Sequence, residues 1–149
     1  MMVLKVIFGL IVLIVIYFFA MGYYSTTMPG KSADAGLRFE CGDRPNCVSS
    51  EAPSMPSQEV EPLSAADGAA MQKQIMAAVA ATGGTVMSEN DGVIVAEYKS
   101  RVFGFVDDVM FKIDPENGST HVMSASRVGY SDLNANRERV EKIREQLSQ

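Results

Sequence analysis

Between Val6 and Tyr24 no position is charged, and the run VIFGLIVLIVIYFFAMGYY is apolar at every offset rather than along one stripe. At ~1.5 Å per residue it forms a helix of roughly 28 Å, close to the ~30 Å hydrocarbon thickness of a bilayer. A segment with no polar face suits lipid better than the surface of a core, so this one is predicted to span a membrane. From Ser25 to Gly36 the chain turns small and polar, with Pro29 and Gly30, the composition of a flexible tether. Periodicity returns further on. Ser64-Ala-Ala-Asp67 resembles a capping signal, and Met71, Ile75, Ala78, Val79 and Thr82 recur at helical spacing until Gly83-Gly84 stops them. Thr85 to Ser88 and Val93 to Ser100 flank the turn residues Asn90-Asp91-Gly92, and Phe105 to Ile113 and Ser119 to Val128 flank Pro115-Glu-Asn-Gly118. A last helix is expected from about Asp132 to Leu147, with Leu133, Asn136, Val140, Ile143 and Leu147 on one face.

The order helix, four strands, helix predicts an α+β fold: a transmembrane helix, then a two-layer domain in which two helices pack on one face of a four-stranded antiparallel sheet. Residues 1–24 form the anchor, 25–36 the linker and 37–149 the exported domain. Lys5 is the only charged side chain before the apolar run, and Tyr17, Phe18, Phe19, Tyr23 and Tyr24 supply an aromatic belt at its far end. The positive-inside rule then places Met1 in the cytoplasm and the domain outside. Ala20-Met21-Gly22 is a small-x-small triplet, so a cleaved signal peptide is the competing reading, although the run is longer than a usual signal core.

Composition narrows the classes. With 47% hydrophobic and 21% charged residues the 149-residue chain has a normal globular mix, enough for one domain and an appendage. Its 13 Lys plus Arg against 18 Asp plus Glu give a net charge of -5, which is not the basic footprint of nucleic-acid binding. Cys41 and Cys47 are the only cysteines, and outside the cytoplasm they can close a short-loop disulfide that braces the start of the domain rather than its core. A zinc site lacks ligands, since His121 is the lone histidine, and the cysteine spacing is not that of a redox dithiol. No glycine-rich phosphate loop or nucleophile elbow occurs, so no cofactor is expected. Methionines such as Met71, Met76 and Met87 are read as core fillers.

Three blocks stand in order along the domain: Cys41-Gly-Asp-Arg-Pro-Asn-Cys-Val-Ser-Ser50, Phe103-Gly-Phe-Val-Asp-Asp-Val109 and Ser124-Ala-Ser-Arg-Val-Gly-Tyr-Ser-Asp132, followed by Asn136-Arg137. Together they resemble the family known as domain of unknown function 1499, over roughly Phe39 to Leu147. The resemblance implies a bacterial envelope or plastid-lumen domain with no agreed activity. It places the protein in the bacterial inner membrane, with the domain periplasmic. Family members usually read Asp-Asp-Val-Glu-Phe and His-Val-Arg-Ser-Ala-Ser-Arg, whereas Met110 and Met123 stand at the Glu and first Arg positions here. If the turn is centred between Glu116 and Asn117, positions 110 and 123 face each other, so the replaced charges are cross-strand partners and neither is orphaned.

The same register places Asp108, Met110 and Lys112 on one face with His121, Met123, Ala125 and Arg127. Asp107, Val109 and Phe111 fall on the other, across from Ser126, Ser124 and Val122. The adjacent aspartates point apart. For Asp107, Asp108, Ser126, Arg127, Tyr130, Asp132, Asn136 and Arg137 there are two readings. In one they form a polar pocket where the final helix starts, with Arg127 and Arg137 clamping a small anionic ligand. In the other Asp132 or Ser131 caps the helix, Asn136 satisfies a strand-end group and Asp108 pairs with Arg127 structurally. The expectation is a membrane-anchored envelope protein with a non-catalytic accessory domain that binds a partner protein of a membrane complex or a small anion. The alternative is a small hydrolase or transferase using Asp108, Arg127 and Asn136.

Overall fold

The computed structural model describes residues 1–33, 37–64 and 68–148. Its first element is one apolar helix, α1 (Met2–Thr27), long and apolar enough to cross a membrane and exposed along nearly all its length. It runs a little past the expected end at Tyr24. Ser25 and Ala33 are buried, and the Ala33 amide donates to Ser88 Oγ at 3.0 Å, so the described part of the expected tether lies on the domain.

The strands are β1 (Cys47–Ser49), β2 (Leu63–Ser64), β3 (Thr85–Asn90), β4 (Val93–Lys99), β5 (Val106–Asp114) and β6 (Ser119–Ser126). Five form an antiparallel sheet in the order β1-β6-β5-β4-β3, and the two-residue β2 pairs with β6 beside β1. The four expected strands are β3 to β6, and the sheet is larger than the four-stranded expectation because β1 and β2 cover the outer edge of β6. An uncovered edge would leave a row of unpaired backbone groups. At the first hairpin Asp91 and Gly92 both take positive φ, as a tight two-residue turn requires. The β5-β6 register is the expected one, with Met110 opposite Met123 and Asp107 opposite Ser126.

Two helices, α2 (Gly68–Ala81) and α3 (Ala135–Leu147), pack on one face of the sheet, as expected. Met71, Ile75 and Val79 of α2 and Val140 and Ile143 of α3 meet Ile94, Val109, Phe111 and Val122 in the main core. The Ala65 to Asp67 part of the expected capping signal lies outside the described residues. Leu133 was expected on the core face of α3, but the helix starts later. Asp132 accepts from the Asn134 and Asn136 amides, Leu133 and Asn134 adopt positive φ, and Leu133 is 89% exposed.

The opposite sheet face is also covered. Ala33, Phe39, Cys41 and Cys47 pack there on Val95, Met110 and Met123. Cys41 and Cys47 are disulfide-bonded, Cα atoms 5.7 Å apart. The bridge therefore belongs to a second core cluster, which corrects the expectation that it would brace only the start of the domain. Met87 departs from its expected core role, because a register shift between Val86 and Ser88 leaves it outside the ladder and exposed.

Candidate functional site

The three sequence blocks converge on one end of the sheet. Strand pairing puts Cys47 beside Ala125, Asp107 beside Ser126 and Lys99 beside Val106, so residues 42–46, 100–105 and 127–134 all emerge there. The C-terminal end of α1 is seated at the same place. Ser25 Oγ accepts from the Val106 amide at 3.0 Å and donates to the Gly22 carbonyl at 2.6 Å.

Asp107 and Asp108 serve two separate arginines because strand alternation turns them to opposite faces. On the face toward α1, Arg127 makes a two-pronged pair with Asp108: Nε donates to Oδ2 at 2.9 Å and Nη2 to Oδ1 at 2.7 Å. Nη2 also pairs with Glu97, and Nη1 reaches the Ser25 and Met28 carbonyls at 3.5 and 3.4 Å. The Arg127 side chain is only 6% exposed. Its bond to Asp108, and then that to Glu97, outweigh desolvation and hold its pKa well above the ordinary value, so the cation is permanent. A positive group under the last carbonyls of a helix also complements the helix dipole.

On the helix face, Arg139 of α3 donates to Asp107 at 2.5 Å, Ser124 Oγ at 2.9 Å and Asn136 Oδ1 at 2.5 Å. Its guanidinium lies 4.8 Å from the centre of the Tyr98 ring. Asn136 is fully buried and uses both ends of its amide: Oδ1 also accepts from Ser124, while Nδ2 donates to Ser126 Oγ and the Asn46 carbonyl. Buried polar groups satisfied in this way fix one geometry, since an unpaired one costs about 1–3 kcal/mol.

The sequence-predicted site residues thus separate into three groups. Asp108 and Arg127 lie on the α1 side of the sheet, Ser126 meets Asn136 of α3 on the other, and Asp132 turns onto the start of α3. Arg137 donates to the Ser57 and Glu59 carbonyls, and Tyr130 is 73% exposed. A cavity of about 450 Å³ beside Arg127 is lined by Met28, Gly30, Thr85, Met87 and Glu97 among others. Asp132 and Arg137 line a different hollow. Sequence reasoning passed over Glu97, Arg139 and Ser25. Glu97 looks like one exposed position of an alternating strand, Arg139 like a solvated helix charge and Ser25 like linker. Gln58 was missed as well. It is buried, and its amide joins the Ser54 and Met55 amides to the Gly42 and Arg44 carbonyls, tying down the disulfide loop.

The family model described as "Protein of unknown function (DUF1499)" matches residues 39–147, most of the chain. The chain belongs to the DUF1499 family. Curated proteins and solved structures yield no match. The DUF1499 region contains both arginine networks, but Ser25 and Met28, which Arg127 contacts, precede it. The apolar helix ahead of the DUF1499 domain suggests membrane insertion or secretion, and the disulfide hints at an extracytoplasmic location.

Proposed function

We propose that this protein is an accessory component of the bacterial envelope: α1 spans the inner membrane with Met1 in the cytoplasm, and the periplasmic DUF1499 domain binds a partner protein without catalysing a reaction. The observation that carries this reading is the engagement of Arg127 with Asp108, Glu97 and the last carbonyls of α1, which joins the domain to its anchor. Such a contact suits a domain presented at a fixed height above the membrane.

A small anionic ligand is the weaker form of the proposal, because Arg127 is already shared by two carboxylates and Arg137 by two carbonyls. A hydrolase or transferase using Asp108, Arg127 and Asn136 is disfavoured, since Asn136 sits on the sheet face opposite Asp108. At this end Tyr130 and Leu133 stay open to a partner. Both are exposed, and Leu133 is held in a left-handed turn. An exposed apolar residue in such a conformation suits a contact surface.

The test is purification of the full chain from membranes in mild detergent. A stoichiometric companion protein is expected with the native sequence and is expected to be lost with Leu133→Asp. A chain that emerges without companions contradicts the accessory reading.

A further inference from the structure

The loop joining β4 to β5, residues 100–105, leaves the sheet at the end where α1 is seated and carries Val102, Phe103 and Phe105. The Phe103 ring packs on Phe18 and Phe19 of α1 with centroids 5.2 Å from each, and Phe105 meets Phe18 at 6.3 Å. Gly22 lets the helix backbone approach the Phe103 carbonyl, leaving no room for a Cβ. These contacts set the height of the loop along the helix. Phe19 lies about 8 Å before Tyr24 along the axis, on the hydrocarbon side of the end of the apolar run. Val102, which precedes Phe103 in the loop, is 68% exposed.

We propose that this loop is a second membrane contact, inserting Val102 and the edges of Phe103 and Phe105 into the outer leaflet while Lys99 and Arg101 meet anionic lipid headgroups. The inference rests on the reading of α1 as a retained span. Three observations favour lipid as the occupant. The aromatic cluster is continuous with the apolar surface of α1. The loop also closes on itself: the Ser100 amide donates to the Phe105 carbonyl at 2.8 Å, the Gly104 amide to the Ser100 carbonyl at 3.1 Å and the Phe105 amide to Ser100 Oγ at 2.9 Å. Such bonds reduce the number of backbone groups that would meet lipid tails without a partner. Finally, Lys99 and Arg101 are exposed on long stems that can lie along the apolar tip and keep their charges at the headgroups.

The chain contains no tryptophan, so a single introduced indole reports its own surroundings. The full chain is reconstituted in phosphatidylethanolamine and phosphatidylglycerol vesicles containing acyl-chain-brominated lipid, as Val102→Trp and, separately, as the mid-span variant Leu13→Trp. The expectation is that bromine at least halves the emission of both, with the residue-102 indole quenched best by shallow bromines and blue-shifted. Quenching at residue 13 but not at 102 overturns the loop contact while leaving the anchor intact. No quenching at either position overturns the anchor and the inference with it. Should Val102→Trp fail to fold, Phe103→Trp, which keeps an aromatic ring in the loop, provides the readout instead.

Discussion

The Cα of Gly22 rests against the carbonyl oxygen of Phe103, with no space for a side chain between helix and loop. In the sequence this glycine is half of a small-x-small triplet that reads as a cleavage signal. The packing gives it a second role, the close approach of two backbones. Gly22→Leu is therefore expected to push α1 off the loop and break the bond from the Val106 amide to Ser25. Losing a net hydrogen bond of about 1 kcal/mol corresponds to roughly fivefold faster local opening. Amide exchange in detergent checks this: Val106 exchanges faster, while Val109 and Val122 in the core do not change.

Arg127 holds two carboxylates, and the Asp108 side chain is as buried as that of the arginine. Removing only the cation leaves a buried charge without its partner, which costs about 3–5 kcal/mol. Arg127→Ala should accordingly lower the urea midpoint strongly in circular dichroism. Arg127→Lys should fall between, because an ammonium cannot reproduce the two-pronged contact. Arg127→Met combined with Asp108→Asn should recover part of the loss.

Met110 and Met123 face each other in the core cluster that holds the disulfide. Met110→Glu alone is expected to destabilise by several kcal/mol, since the site is buried and offers no cation. Adding Met123→Arg should restore much of that stability. A double-mutant cycle by urea unfolding checks it, and a coupling energy near zero would mean the two positions do not communicate.

Burial pushes the Tyr98 phenol above its ordinary pKa of 10.0, against smaller opposing effects of the Thr82 hydroxyl and the Arg139 guanidinium. A group whose folded pKa is raised contributes its stability in full below the unfolded value and loses it as pH rises through the folded one. The thermal midpoint should therefore fall as pH rises from about 10. Tyr98→Phe keeps the ring under Arg139 and should flatten that fall, measured as melting temperature against pH.

The hairpin of β5 and β6 was legible because alternation and the Pro115 to Gly118 turn fix which residues oppose each other, and a one-residue slip would have reversed both faces. It followed that Asp107 and Asp108 point apart. Their partners were less legible. Arg139 reaches Asp107 over the Tyr98 ring, a contact between elements far apart in sequence that no local period encodes. Cys47 to Ser49 is too short to alternate visibly, and it is a strand because β6 offers it an edge. Leu133 fits the helical spacing of α3 by position, but the Asp132 side chain holds the turn that excludes it from the helix. The apolar helix was plain from composition, whereas its seating on Ser25, Gly22 and Phe103 was not, because a serine and a glycine there read as tether and processing signal.

On the proposed reading α1 stays attached and works as one body with the domain. Intact mass spectrometry of the protein extracted from membranes tests this most directly. A chain whose mass includes α1, with the two hydrogens lost to one disulfide, is the expected result. A product beginning at Tyr23, recovered in the soluble periplasmic fraction, would contradict it.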